Sequence, residues 1–310
     1  MDLNHLIAIT GFIVISLEAI TGISGNLFIL YVISFQSGKR LDKSVCDKII
    51  VALAISSVCH VCILSFNILS GLLVPGIYMS LYVAYAVLLL TVYSANSCIW
   101  LTAVLCFYYF IRITTFRSNI FTWFKMKINK VITWMIFMSQ IMSTFSSSLS
   151  LIQLVQTINS TRNHTAASSN MTSGAQGNKT INIAFLINCF PILIMMVTTS
   201  TTVVFLSLHR LRLRRSMGTL VSVNVAAYGG VVRTMISSLV FYGIMYAAML
   251  IYSFGILVST NLENWIMLIM IFSFTPIQSI SLISGTAKLK NAWEQMLSCV
   301  KGKIYLSACN

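Results

Sequence analysis

Residues 107–125 read FYYFIRITTFRSNIFTWFK, and this stretch decides how the rest of the chain is interpreted. It lies between two long apolar runs, and its aromatic residues alternate with Arg112, Arg117 and Lys125 without any acidic residue. Aromatic rings and basic side chains gather at the surface of a lipid bilayer, because each combines an apolar part with a polar one. The stretch therefore predicts a turn at a membrane surface, between two segments that cross the lipid.

The composition of the whole chain agrees with this interpretation. Of its 310 residues, 57% are hydrophobic and only 8% are charged, and the mean hydropathy is +0.89. Soluble domains carry about 25% charged residues. The net charge of +14 does not indicate nucleic-acid binding, because the Lys and Arg residues form short blocks between apolar runs. Most of the surface is expected to contact membrane lipid.

Seven runs are long and apolar enough to span a bilayer, which takes about 20 residues each. They cover residues 6–34, 45–73, 78–111, 128–157, 181–208, 231–259 and 262–285. The first run is too long for the apolar part of a signal peptide and is expected to stay as a helix. The runs leave no room for a separate soluble domain. We therefore expect an all-α membrane protein, a seven-transmembrane helix bundle that forms a single domain over 1–310.

Two signals predict the orientation of this bundle. All of the 20 Lys and Arg residues except Arg162 and Lys179 lie on one side of the membrane, and the positive-inside rule makes that side cytoplasmic. The opposite side carries the polar loop 158–180, where glycosylation sequons begin at Asn159, Asn163, Asn170 and Asn178. The N-terminus is then outside, the C-terminal tail 286–310 is inside, and 107–125 is the second cytoplasmic loop.

Several motifs identify a family. The usual rhodopsin-like signatures are missing, since no Asp-Arg-Tyr ends the third run and no Asn-Pro-x-x-Tyr closes the seventh. The chain nevertheless resembles the bitter taste receptors, the type 2 taste receptor family of G-protein-coupled receptors. The resemblance is carried by SVCDKIIVALAIS (44–56), YYFIRITTF (108–116), IFTWFKMKINKV (120–131), LISGTAKLK (282–290), Glu18, Gly25-Asn26, His209-Arg210 and Tyr242.

The resemblance implies a receptor of the plasma membrane, with several passes, that is not an enzyme and holds no cofactor or metal. Its partners would be structurally diverse small-molecule agonists, membrane lipid and a heterotrimeric G protein of the gustducin type. No nucleic acid is implied, and homo-oligomer formation is left open. A vomeronasal type 1 pheromone receptor is the closest alternative, and a small membrane transporter is a more distant one, since neither a repeated half nor several intramembrane charges are seen.

Two sets of residues are candidates for ligand binding and for G-protein coupling. The ligand-binding candidates lie in the outer half of the runs, and they are Thr91, Ala95, Asn96, Ile183, Ile187, Tyr242, Met245, Met249 and Met267. Methionine suits a promiscuous apolar pocket because it repacks easily, although lipid-facing filler explains these residues equally simply. The G-protein-coupling candidates are Tyr108, Tyr109, Arg112, His209 and Arg210. For the residues of 107–125, anchoring at the lipid surface remains an equal alternative.

Glu18 is the one acidic residue well inside a run, and an intramembrane carboxylate is a candidate functional group by default. A structural polar network with Asn26, Ser57 and Gln278 is the first interpretation, and ligand contact or an ion site are the alternatives. The family usually has Arg at the position of Ser57 and His at that of Gln278. Its Trp and Asn in the third helix correspond here to Thr91 and Ala95. These departures indicate a rebuilt network and a changed ligand preference.

Overall fold

The computed structural model describes residues 3–36, 44–73, 81–114, 119–166, 174–217, 222–253 and 261–308. Within these ranges the chain forms helices and no strands. The helices are α1 (Leu3–Gln36), α2 (Val45–Leu73), α3 (Leu81–Ile113), α4 (Asn119–Met126), α5 (Ile128–Ala166), α6 (Gly174–Met217), α7 (Ser222–Ser253), α8 (Asn261–Gly285) and α9 (Ala287–Ala308).

Seven of these helices are long and apolar enough to cross a membrane, as the sequence predicts. They are α1, α2, α3, α5, α6, α7 and α8, with α4 as a short connecting helix and α9 following the last span. The prediction of a seven-helix membrane bundle is confirmed. The predicted orientation of the termini stays a prediction.

The bundle is arranged around α3, which packs against α2, α5, α6 and α7. The helix α1 lies at the periphery between α2 and α8, and α7 packs between α6 and α8. The buried centre is aliphatic and includes Ile29, Ile33, Ile49, Leu53 and Leu101. In contrast, large apolar side chains cover the outer surface of the spans, as they must where the solvent is lipid.

Two helix contacts depend on glycine. A Cβ at Gly25 of α1 would lie 2.5 Å from Oγ of Ser279 on α8, so only glycine allows the two helices to approach this closely. On the other side of α8, a Cβ at Gly285 would lie 3.0 Å from the backbone oxygen of Gly230 on α7 and would overlap Thr234. Small residues at such contacts are typical of membrane helices, because they let backbones pack closely.

Many hydroxyl groups in the spans bond to their own helix. In α6, the hydroxyls of Thr198, Thr201 and Thr202 each donate to the carbonyl four residues earlier, at 2.7 Å. These bonds satisfy groups that would be costly to leave unpaired in lipid. A run as polar in composition as 195–202 is therefore compatible with a membrane span.

The structure differs from the sequence prediction between α5 and α6. Residues 158–180 are predicted to be a loop, but helix continues through Ala166 and begins again at Gly174. Polarity shows where a helix leaves the lipid, not where it ends, and no Gly or Pro interrupts 158–166. Of the sequons, Asn159 is exposed on α5, Asn163 and Asn178 lie in α5 and α6, and Asn170 lies outside the described residues.

Candidate functional site

A chain of hydrogen bonds crosses the centre of the bundle and joins four helices. Ser57 Oγ on α2 donates to Gln278 Oε1 on α8 at 3.0 Å. Gln278 Nε2 donates to Thr102 Oγ1 on α3 at 3.1 Å, and this oxygen lies 3.0 Å from the hydroxyl of Tyr242 on α7. All four side chains are buried. We call Ser57, Gln278, Thr102 and Tyr242 the polar chain.

The direction of the last bond in the polar chain follows from counting protons. The single hydroxyl proton of Thr102 is donated to the carbonyl oxygen of Cys98, at 2.8 Å. Thr102 can then only accept from its other two neighbours, so the Tyr242 hydroxyl is the donor of that bond. Each bond of the polar chain then has one donor and one acceptor. The network fixes the rotation of α7 and α8 relative to α3.

Aromatic rings connect the polar chain with a second residue of α2, His60. The Phe274 ring centroid on α8 lies 5.2 Å from the Tyr242 ring and 6.3 Å from the His60 ring, which meets it edge-on. His60 Nδ1 is 3.0 Å from Ser94 Oγ, and the Ser94 proton is donated to the carbonyl oxygen of Thr91. His60 Nδ1 is therefore the donor to Ser94. A single histidine such as His60 gives no signal in the sequence that it belongs to a network.

A second polar cluster, not identified from the sequence, joins α3 to α5. Gln140 Oε1 accepts from the Tyr93 hydroxyl at 2.7 Å and from Ser97 Oγ at 3.1 Å. Ser97 in turn lies 2.9 Å from Ser56 Oγ on α2. An amide in the middle of the apolar run 128–157 is the signal that could have revealed this cluster, because buried amides need partners.

The four residues predicted to share one polar network are divided between three places. Only Ser57 and Gln278 are bonded to each other. Glu18 Oε1 instead accepts from Ser273 Oγ on α8, at 2.5 Å. Asn26 Nδ2 donates to the Gly22 carbonyl of its own helix at 2.9 Å. Glu18 and Asn26 lie on α1, which packs against α2 and α8, but the hydrogen bonds described for them do not join the polar chain.

The predicted ligand-binding residues are spread over α3, α6, α7 and α8. Asn96 is buried, whereas partly exposed side chains are found at Thr91, Ala95, Ile187, Met245 and Met267. The Tyr242 hydroxyl belongs to the polar chain. The side chains of Ile183 and Met249 lie outside the described part of the chain.

Of the predicted coupling residues on α3, the two tyrosines are buried and Arg112 is exposed. Tyr108 and Tyr109 are 5% and 6% exposed and belong to the apolar core. Arg112, which is exposed, donates from Nη1 to the Tyr108 hydroxyl at 2.8 Å, and the Cys46 thiol lies 3.7 Å from the Tyr109 hydroxyl. The side chains of His209 and Arg210 lie outside the described residues.

The structure divides the opening stretch 107–125 into inward and outward parts. Tyr108 and Tyr109 face the bundle, while Trp123 on α4 is 49% exposed and lies under the Lys127 ammonium, 5.3 Å from the ring centroid. The Phe124 ring meets Phe107 edge-on at 6.1 Å and holds α4 against α3. Lipid anchoring and G-protein coupling both stay predictions for this stretch.

Near the same end, an ion pair connects α2 with α9. Lys288 Nζ lies 3.7 Å from Asp47 Oδ2, and the Asp47 side chain is only 14% exposed. Ser44 Oγ accepts from the backbone N–H of Asp47 at 3.2 Å and caps the start of α2. The edge-on contact of Trp293 with Phe28, 5.2 Å between centroids, also holds α9 to the bundle.

Comparison with known proteins assigns this architecture to a family. The family model "Taste receptor protein (TAS2R)" matches residues 3–301. Taste receptor type 2 member 9 of Papio hamadryas is 26% identical over 294 residues, 94% of each chain. The human member 9 is 37% identical over 119 residues, 38% of each chain. Member 7 of Pongo pygmaeus is 29% identical over 130 residues, 42% of this chain and 41% of that protein.

These matches place the molecule among the G-protein-coupled receptors, a class of receptors rather than of enzymes. More narrowly, the chain belongs to the taste receptor type 2 family, and it is a multi-pass membrane protein. The resemblance predicted from the motifs is confirmed. The aligned part covers only 38% of the length of the human relative, so agonists and partners are a matter for proposal.

Proposed function

We propose that this protein is a plasma-membrane receptor that binds small molecules from outside the cell and activates a heterotrimeric G protein of the gustducin type. The observation that carries the proposal is the polar chain, since it connects α3 and α7 through bonds that have to rearrange if those helices move apart. A ligand can shift such an equilibrium only through contacts that differ between the two arrangements. The proposed orientation has the N-terminus outside and the C-terminus inside.

The agonist site is proposed for the outer half of the bundle, between α3, α6, α7 and α8. Asn96 supplies a buried amide whose Nδ2 has no hydrogen-bond partner among the described residues. The side chains expected around it are mostly apolar, as in other small-molecule pockets. No acidic residue lies in the first half of α3, which favours uncharged agonists over amines.

The coupling site is proposed for the opposite end, around Tyr108, Tyr109 and Arg112. The C-terminus of a docking helix presents unpaired carbonyls and often a carboxylate, which basic and hydroxyl donors can bind. In this structure the two tyrosines are buried and Arg112 bonds to Tyr108. Opening of the bundle at this end is therefore required before the tyrosine hydroxyls can meet a partner.

The test is intracellular calcium in cells that express the chain with a gustducin-tailed promiscuous G protein, exposed to a broad panel of bitter compounds. We expect a response to at least one compound, lost in Arg112→Ala at equal surface expression. Lys290→Ala is the matched control, because that lysine is exposed and pairs with Glu294, which is exposed as well. Silence across the panel with confirmed surface expression would contradict the agonist proposal, and a response unchanged by Arg112→Ala would contradict the coupling site.

A further inference from the structure

The short helix α4 and the start of α5 form a basic and aromatic surface at one end of the bundle. The spans Tyr82–Ile113 and Ile128–Gln153 lie on either side of α4 in the sequence, which places this helix at the boundary between lipid and water. The Phe124 ring meets Phe107 of α3 and gives α4 an inner face. The other described side chains of α4 are exposed.

The exposed side chains follow one helix face from α4 into α5. Trp123 and Met126 are 49% and 82% exposed, and Trp134 on α5 is 57% exposed. Lys127 and Lys130 lie between them in sequence and are exposed as well. The backbone N–H of Lys127 donates to the Trp123 carbonyl at 3.1 Å, and that of Lys130 to the Lys127 carbonyl at 3.0 Å, so helical spacing continues through the junction. We call these five residues the basic surface.

Within the described part of the chain, neither Lys127 nor Lys130 is paired with an acidic side chain. The sequence contains no Asp or Glu from residue 48 to residue 262, and both ion pairs among the described residues involve α9 instead. The Lys127 ammonium lies over the Trp123 ring, 5.3 Å from its centroid. The positive charge of the basic surface is therefore directed outward, without a counter-charge from the protein.

The stability of α5 does not explain Lys130. This residue lies in the first turn of α5, which contains no acidic residue. The N–H groups at the start of a helix carry partial positive charge, so a basic side chain there is unfavourable. Trp134, one turn later, is exposed within the span and contacts lipid. Lys130 is thus placed on the lipid-facing side of the helix, at the level where the span begins.

The chemistry of the basic surface defines its partner. Exposed tryptophans anchor a protein at the headgroup level of any bilayer, whatever its charge. Lysines near a membrane add attraction to anionic lipids in particular. We propose that the basic surface binds the headgroup of an anionic phospholipid, which Lys127 and Lys130 select over zwitterionic lipids. In the proposed orientation this surface meets the cytoplasmic leaflet, where anionic lipids are found.

Binding of such a lipid would stabilise the position of α4. Through the contact of Phe124 with Phe107, it would also act on the end of α3 that carries Tyr108 and Arg112. A lipid that binds this arrangement alone raises the thermal stability of the receptor by mass action. The proposal depends on neither the agonist nor the G protein, so a silent calcium assay would not affect it.

The test uses the full-length receptor in phosphatidylcholine nanodiscs that contain phosphatidylserine with a diazirine in its acyl chain, close to the headgroup. Phosphatidylcholine with the same diazirine is the matched probe. After photolysis, mass spectrometry measures the label in peptides from 119–134. We expect the serine lipid to label this segment about twentyfold more than the choline lipid at equal concentration, since each lysine contributes about fivefold. High salt should reduce the preference.

Three variants complete the experiment. Lys127→Gln and Lys130→Gln should each reduce the preference about fivefold. Lys290→Gln is the matched control, because it removes the same charge from an exposed lysine of α9 and should leave the labelling of 119–134 unchanged. The thermal midpoint in nanodiscs of phosphatidylcholine alone should be the same for all three variants and the parent protein, since the three lysines are exposed.

Several outcomes would overturn the proposal. Equal labelling by the two probes in the parent protein would show that no anionic lipid is selected. A preference kept in both Lys127→Gln and Lys130→Gln, or reduced equally in Lys290→Gln, would show attraction to the net charge alone. Unchanged lipid labelling together with weaker G-protein binding in these two variants would make the basic surface a protein-docking site instead.

Discussion

The hydroxyl of Tyr242 on α7 donates to Thr102 on α3 across 3.0 Å, at the point where α3, α7 and α8 meet. The same threonine accepts from Gln278 on α8 at 3.1 Å. The neighbouring helices α7 and α8 are thus bonded to one oxygen atom of the central helix. The rotation of α7 cannot change without breaking a bond at this atom.

Tyr242→Phe should remove this bond while it keeps the ring contact with Phe274. We expect a loss of about 1 kcal/mol in stability and a leftward shift of the agonist dose–response curve, because the closed arrangement loses a bond that the open one need not contain. The measurements are the thermal midpoint in detergent and the calcium dose–response. Tyr31→Phe, at a residue 61% exposed on α1, is the control and should change neither. An unchanged midpoint in Tyr242→Phe would contradict the role of the bond.

Gln278→Leu should be more harmful than Ser57→Ala, since it leaves Ser57 and Thr102 without one of their partners. We expect a destabilisation of about 1–3 kcal/mol for Gln278→Leu. Ser57→Ala should cost less stability in the Gln278→Leu background than in the parent protein. The difference between the two costs, which is the coupling energy, should be at least about 0.5 kcal/mol. A double-mutant cycle of thermal midpoints measures this coupling, and strict additivity would show that the two residues do not interact.

Gly285→Ala should disturb the contact of α8 with α7, because the new Cβ overlaps Thr234 and lies 3.0 Å from the Gly230 carbonyl oxygen. Overpacking of this kind destabilises by about 1–3 kcal/mol. Gly229→Ala is the matched control, since a Cβ there meets no atom within 4 Å and alanine is the better helix former. Surface expression and thermal midpoint should therefore fall in the first variant and stay equal or rise in the second. Equal midpoints for both variants would show that the helices are not in close contact.

The ion pair of Lys288 with Asp47 should contribute below about 1 kcal/mol, because Lys288 is partly exposed. Lys288→Glu should lower the thermal midpoint, and the added change Asp47→Lys should restore part of the loss. Raising the ionic strength should reduce the difference in thermal midpoint between Lys288→Glu and the parent protein. The exposed pair of Lys290 with Glu294 serves as the control, for which the same exchange is expected to have no measurable effect. Absence of any rescue would show that the ion pair does not hold α9 to α2, and that other contacts, such as that of Trp293 with Phe28 on α1, hold α9 to the bundle.

The orientation of the bundle can be tested through its sequons. Asn159 is exposed on α5, and if that end is outside the cell it can carry a glycan. Peptide N-glycosidase should increase the gel mobility of the receptor, and Asn159→Gln should reduce the mass of the untreated band by one glycan if this sequon is used. Mutation of all four sequon asparagines should abolish the shift. Survival of the shift in that variant would contradict the predicted topology.

The sequence predicts the spans well because the bilayer imposes one simple requirement, a run of about 20 apolar residues. It predicts the site less well because the rotation of each helix about its axis is not encoded in such a run. Ser57 and Gln278 are recognised as polar groups far from either end of a span, and they do meet. Thr102 is one hydroxyl among many and gives no separate signal, and Glu18 bonds to Ser273 because α1 contacts α8 at the periphery.

The threonines of α6 that donate to their own backbone have a further consequence. Thr198 and Thr202 are buried in the bundle and Thr201 is partly exposed, while each hydroxyl is already satisfied within its own helix. A threonine side chain can adopt either of two χ1 rotamers in a helix, so the hydroxyl can turn towards a neighbouring helix without a change of sequence. A single substitution in a facing helix can therefore gain one of these hydroxyls as a hydrogen-bond partner. The polar contacts of the receptor can change in this way without any loss of membrane insertion.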